Sequence, residues 1–178
     1  MISRNTLTAV CIGLATLGAG GGALAQPAAA ASAAVAGGDR TFVMEAAKGG
    51  MAEVALGQLA QQRGSSDAVK QFGSRMVDDH TKANDELKQI AMGKGITLAD
   101  ATPPKDAQAR KLEGLSGAAF DREYMTKMHA DHRKTIALFE KEAQSGRDPE
   151  LKAFAAKTLP TLQEHLKMVQ HGKPAASH

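Results

Sequence analysis

Tryptophan is absent, tyrosine occurs once, and aromatic residues make up only 3% of the chain. That scarcity removes the flat side chains on which single-stranded nucleic acids and sugars stack. The single cysteine, Cys11, falls in an N-terminal segment that reads as a leader. Once that segment is cleaved, the chain has no disulfide, no thiolate nucleophile and no thiolate metal ligand. Nor is charge of one sign in excess. Arg4 is the one charged residue of the leader, and the remainder carries 21 basic against 19 acidic side chains, a net of +2. So small and dispersed a charge excludes a nucleic-acid footprint. No stretch alternates with period two over a useful length, which argues against a sheet. Serine-nucleophile signatures, phosphate-binding glycine loops and paired catalytic carboxylates are also missing. The glycines at 18–22 belong to the leader, and Gly49-Gly50 falls inside a helical pattern.

The leader, residues 1–25, has Arg4 as its positive start, an apolar stretch over 7–17 and a small-x-small cleavage site at Ala23-Leu24-Ala25. It implies export to the periplasm or beyond, with the outer membrane as one destination. Membrane association is expected only if the leader stays uncleaved. Residues 26–38, rich in Ala and Gly, read as a tether, and 172–178 as a loose tail. Between them, 39–171 is long enough for one domain with a core of its own.

Four segments in that domain carry the 3.6-residue apolar period of a helix. The first, about 41–63, has the stripe Phe42, Ala46, Gly49, Glu53, Leu56, Gly57 and Ala60. The second, from Ser65 or Ser66 to Gly93, has Val69, Phe72, Gly73, Met76, His80, Ala83, Leu87 and Ala91. The third, from Ser116-Gly117 to Gly146, carries Met125, Met128, His132, Ile136, Phe139 and Ala143. The fourth starts at the N-cap Asp148 with Pro149 in the first helical position. Its stripe is Leu151, Phe154, Thr158, Leu162, His165, Leu166 and Val169, and Pro160 is expected to kink it. Two- or three-residue links join the first pair and the last pair into antiparallel hairpins. The link over 93–117 is far longer, with Pro103-Pro104 and a short helix expected over 106–115. A link that long can run the length of the bundle and leave the second and third long helices parallel. The expected fold is therefore all-α, a ferritin-like four-helix bundle with one long crossover.

One ionisable residue interrupts each stripe: Glu53, His80, His132 and His165. Burying such a group costs several kcal/mol unless it is paired or bound to a metal. His80 lies 14 residues after Ser66 and His132 lies 15 after Gly117. With parallel helices, both then sit about 21–23 Å from the same end, and counting from the turns brings Glu53 and His165 to within roughly 10 Å of that level. Imidazole and carboxylate donors at one depth suit a single transition metal ion: zinc, iron, manganese or copper(II). Met76 and Met128, one turn before two of the histidines, would favour copper(I) if they are not simply core filler. Each histidine follows an acid (Asp79, Asp131, Glu164), which can accept the second ring N–H of a histidine on a neighbouring helix or simply face solvent.

The segments Gly50-Met51-Ala52-Glu53, Met76-Val77-Asp78-Asp79-His80, Gly117-Ala118-Ala119-Phe120-Asp121, Asp148-Pro149-Glu150-Leu151, Leu159-Pro160 and His165-Leu166 occur in this order. In them the chain resembles an uncharacterised bacterial family, domain of unknown function 4142, whose members are labelled secreted or outer-membrane proteins. The resemblance covers about 40–170 and implies a ferritin-like fold without an established activity. It does not extend to a ferroxidase centre, because the Glu-x-x-His pairs of di-iron proteins are absent: Val77, His129 and Leu162 stand three residues before the histidines. Two functions remain open. One is an exported bundle holding a transition metal through the four stripe residues. The other is a metal-free envelope module that meets a protein partner through its exposed Lys/Glu faces. Enzymatic activity is open too, and redox chemistry would need the metal.

Overall fold

The computed structural model describes residues 35–99 and 105–171. The leader (1–25), most of the tether, Pro103-Pro104 and the tail (172–178) lie outside the described residues. Five helices account for nearly all of what is described: α1 (Gly37–Arg63), α2 (Asp67–Gly93), α3 (Ala107–Glu113), α4 (Gly117–Ser145) and α5 (Pro149–His171). The starts are chemically encoded. Ser66 accepts from the Val69 N–H at the head of α2, Asp106 from Ala109 at the head of α3, and Asp148 from Glu150 and Leu151 at the head of α5. α1 begins at Gly37, four residues before the apolar period starts. α5 runs unbroken through Pro160.

Two reciprocal caps set the helix directions. Asp121, in the first turns of α4, accepts from the Ser65 N–H, the Ser65 hydroxyl and the Ser66 N–H in the α1–α2 turn at 2.7–2.9 Å. Asp39, at the head of α1, accepts from the Arg147 and Asp148 N–H groups in the α4–α5 turn at 2.7–3.2 Å. Each hairpin thus holds the other's turn with a buried carboxylate. At the second of these ends, Lys94 just beyond α2 also pairs with Asp148 and Glu150 at the start of α5. The heads of α2 and α4 therefore share one end of the bundle, and these two helices run parallel. The connection between them traverses the bundle: Ile96 packs with Phe42, Phe139 and Phe154 at one end, and Ala109 and Leu112 pack with Phe72 and Phe120 at the other. This is the single-crossover topology of the ferritin-like fold.

α1 and α2 approach most closely where Gly57 meets Gly73. A Cβ on either glycine would fall 2.7 Å from the carbonyl oxygen of the other. Such backbone contact forces the two helices into a tight seam. Gly49 is different, since a Cβ there meets nothing within 4 Å.

Two apolar clusters fill the interior, one at each end of the bundle. In sequence, His80, His132, His165 and Glu53 all fall between the members of these clusters on their own helices, so a polar layer divides the core. The contrast between the two kinds of glycine is testable. Gly73→Ala should destabilise the protein by about 1–3 kcal/mol through overpacking. Gly49→Ala should stabilise it by up to about 1 kcal/mol through helix propensity alone. Denaturant unfolding of both variants checks this, and equal effects would contradict the packing described.

Candidate metal centre

The three histidines come from three helices, His80 from α2, His132 from α4 and His165 from α5, and all are buried. Their ring centroids form a near-equilateral triangle with sides of 5.4–5.8 Å. One ring nitrogen of each lies within 4.8 Å of the other two. Phe72 closes the triangle on one side, at 6.4 Å from His132 and 6.0 Å from His165.

Hydrogen bonds decide what these nitrogens offer. Nδ1 of His132 lies 2.9 Å from the Met128 carbonyl oxygen, which can only accept, so Nδ1 carries the proton and Nε2 is bare. Nε2 of His165 lies 2.9 Å from a carboxylate oxygen of Asp79. Burial raises the Asp79 carboxyl, but the hydrogen bonds and charges of His165 and Arg75 outweigh it, leaving the carboxyl below its ordinary range and ionised at neutral pH. Asp79 therefore accepts, His165 Nε2 donates, and His165 Nδ1 is bare. The two bare nitrogens face each other at 3.3 Å. A proton between them would relieve the repulsion, but burial opposes it. Burial, reinforced by His165, takes His132 down to about 4. Burial, with His132 and His165, takes His80 down to about 3. Burial also lowers His165, against the pull of Asp79. At neutral pH the cluster is a set of lone pairs in a buried site.

That arrangement fits a metal ion. At bonds of ~2.0–2.1 Å, a 3.3 Å nitrogen separation subtends about 104–111° at the ion, close to tetrahedral. His80 has to close in by about 1–1.5 Å to share such an ion. Its Nε2 has no hydrogen-bond partner in the protein to hold it back.

Glu53 does not join the group. Four donors were expected to converge, and the carboxylate of Glu53 is not among the atoms within 4.8 Å of one another. The reason lies in α1, which the Gly57–Gly73 contact draws onto α2, so that Glu53 borders an open seam with α4. Its charged neighbours are Asp131, Lys127 and Asp106, and burial, then Asp131, pushes its carboxyl up to about 8. Of the three acids that precede the histidines, Asp79 alone holds a ring. Asp131 pairs with Lys127, and Glu164 with Arg75. Sequence reasoning missed Lys127, whose side chain is 4% exposed and tied to Asp106 of the crossover at 2.6 Å. It also missed Tyr124, whose buried hydroxyl has no partner and whose acidity falls with burial and the nearness of Glu53. A lysine and a tyrosine within the apolar period of α4 were the available signals.

Fold and site together define a ferritin-like bundle with three histidines in its middle layer. The chain belongs to the family described as Domain of unknown function (DUF4142), whose pattern matches residues 24–171. No curated protein matches it. Among solved structures it is similar to a DUF305 fragment from Deinococcus radiodurans at 13% identity and TM-score 0.69, covering 78% of this chain and 97% of that one. A DUF305 protein of Streptomyces coelicolor, described provisionally as secreted, gives 13% identity and TM-score 0.67 over 79% and 96%. CopM in its Ag-bound form gives 16% identity and TM-score 0.63 over 75% and 93%. At these identities the likeness is one of fold. Among the described residues no helix is long and apolar enough to cross a membrane.

The buried acid and the buried imidazoles act on stability in opposite senses. Glu53 has its folded value raised from 4.5 to about 8, so its contribution is complete below pH 4.5 and is lost as the pH climbs toward 8. His80 and His132 have theirs lowered from 6.5, so their contribution is present above pH 6.5 and is lost as the pH falls through about 4. Glu53→Gln keeps the shape and removes one titration. In thermal melts of the metal-free proteins, its stability relative to wild type should rise from pH 5 to pH 8 by on the order of 2–4 kcal/mol. A difference that does not change with pH would contradict this.

Proposed function

We propose that this is an exported cell-envelope protein that holds one transition metal ion through His80, His132 and His165. The carrying observation is the pair of bare nitrogens, His132 Nε2 and His165 Nδ1, facing each other at 3.3 Å with their partner nitrogens committed elsewhere. An apolar core gains nothing from two opposed lone pairs, and a cation converts that repulsion into two bonds. Three neutral nitrogens with one position left over suit zinc, copper or iron(II), with manganese less favoured by so many nitrogens. Asp79 supplies the second bond that orients His165 and raises its basicity. Met76 and Met128, fully buried one turn from two of the ligands, add soft surroundings, and the fold's likeness to CopM in its Ag-bound form supports a soft ion such as copper(I). Glu53 borders the same small cavity as His80 and serves the site from outside the ligand set.

The competing function is a metal-free envelope module, in which a second proton on His165 completes a polar chain from Asp79 through His165 and His132 to the Met128 carbonyl. Metal analysis of tag-free protein separates the two. Wild type should carry about one ion per chain and the His132→Ala/His165→Ala double variant none, while Asp79→Asn should bind about 10–100-fold more weakly. Stripping the metal should lower the melting midpoint, by the equivalent of about 2.7 kcal/mol where free metal had stood at 100 times Kd. Negligible metal in wild type after equilibration with zinc, copper and iron, with an unchanged midpoint, would establish the metal-free module instead.

A further inference from the structure

The three histidines occupy three corners of the bundle, and α1 holds the fourth without supplying a ligand. The seams differ in how they are closed. Gly57 and Gly73 shut α1 against α2 backbone to backbone, and the ion pairs Arg75–Glu164 and Lys157–Glu86 span α2 and α5. Between α1 and α4 the helices part instead, leaving a cleft of about 670 Å³ edged by Lys105, Asp106 and Ala109 of the crossover. Deeper in lies a second cavity of about 20 Å³, bordered by Glu53, His80 and Asn84. It has room for about one water-sized ligand.

Gly49, Glu53 and Thr135 line both spaces, so these three residues stand between the cleft and the small cavity that His80 borders. Glu53 is 5% exposed, and its Oε2 has no hydrogen-bond partner in the protein. Nε2 of His80, which borders the same small cavity, has none either. Four buried side-chain atoms among the described residues lack a partner, and two of them, Glu53 Oε2 and His80 Nε2, belong to residues that border this one ligand-sized space.

We propose that the α1–α4 cleft is the port of the histidine site, through which a hydrated divalent cation passes from Glu53 to His80. This rests on the reading of the histidines as ligands. A dipositive ion cannot cross an apolar partition with its water shell intact, nor shed the shell without replacement. At the threshold Glu53 gives up its proton to solvent in the cleft as the ion arrives, and the carboxylate so formed replaces one water and offsets part of the charge. His80 Nε2 then replaces the carboxylate, and His132 and His165 complete the set. Each step exchanges one ligand for another, and the displaced water leaves through the cleft. The missing side chain at Gly49 keeps the passage open, since nothing stands within 4 Å of where its Cβ would be.

Stopped-flow uptake of cobalt(II), read by its visible absorption, tests this on the full chain. Gly49→Leu puts a side chain into the mouth of the passage while favouring the helix, so it should fold at least as well as wild type, which a thermal melt verifies. Gly93→Leu, at the end of α2 where a Cβ also meets open space, is the control for the substitution itself. Gly49→Leu should slow uptake and release together by about tenfold or more, leaving Kd nearly unchanged, and Gly93→Leu should alter neither. Glu53→Gln should slow both in the same way. Equal rates in Gly49→Leu and Gly93→Leu would overturn the port while leaving the histidine site standing. A weaker Kd in Glu53→Gln with unchanged association would make Glu53 a ligand and overturn its role as a relay. A wild-type protein that takes up no cobalt(II) would overturn the histidine reading and the port together.

Discussion

Two imidazole nitrogens meet 3.3 Å apart in the middle of this bundle, each with its ring partner already engaged. Everything around them serves to hold that confrontation in place. The Met128 carbonyl fixes one ring from within α4, and Asp79 fixes the other from across the α2–α5 seam. Apolar clusters above and below bury the lone pairs away from bulk solvent. Burial then keeps protons off, so the repulsion is relieved most readily by a cation.

The bundle's architecture makes this possible at little local cost. Because α2 and α4 run parallel, residues at equal distance from their heads fall at equal depth, which brings His80 and His132 level. The reciprocal caps by Asp39 and Asp121 tie each hairpin to the turn of the other and so resist sliding along the axis. A slip of one turn, about 5.4 Å, would separate the rings beyond any shared ligand. The polar middle layer thus depends on two carboxylates at the ends of the molecule.

Much of this was legible in the sequence. Stripe position identified His80, His132 and His165 as inward, the long 93–117 link implied the parallel pair, and counting residues placed the three rings at one level. Glu53 misled for a definable reason. Apolar periodicity says which face of a helix turns inward, not which of two neighbours that face leans toward. Gly57 and Gly73 draw α1 onto α2, and the same stripe that points Glu53 inward leaves it beside the open seam with α4. Lys127 escaped notice because one of its partners, Asp106, meets it only after the crossover folds back, while Asp131 stands one turn along the same helix. The end caps were hidden similarly, since Asp121 and Ser65 are 56 residues apart in the chain.

Nitrogen-15 NMR of the imidazoles in the metal-free protein at pH 7 tests the central point most directly, because it reads the protonation of each ring nitrogen. His132 should appear as the neutral tautomer protonated at Nδ1, and His165 as the neutral tautomer protonated at Nε2, with both facing nitrogens bare. Adding zinc should then move those two resonances and leave the protonated partners in place. A doubly protonated His165 at pH 7, bridging Asp79 and His132 with its own proton, would contradict this: the gap would already be filled and no cation required.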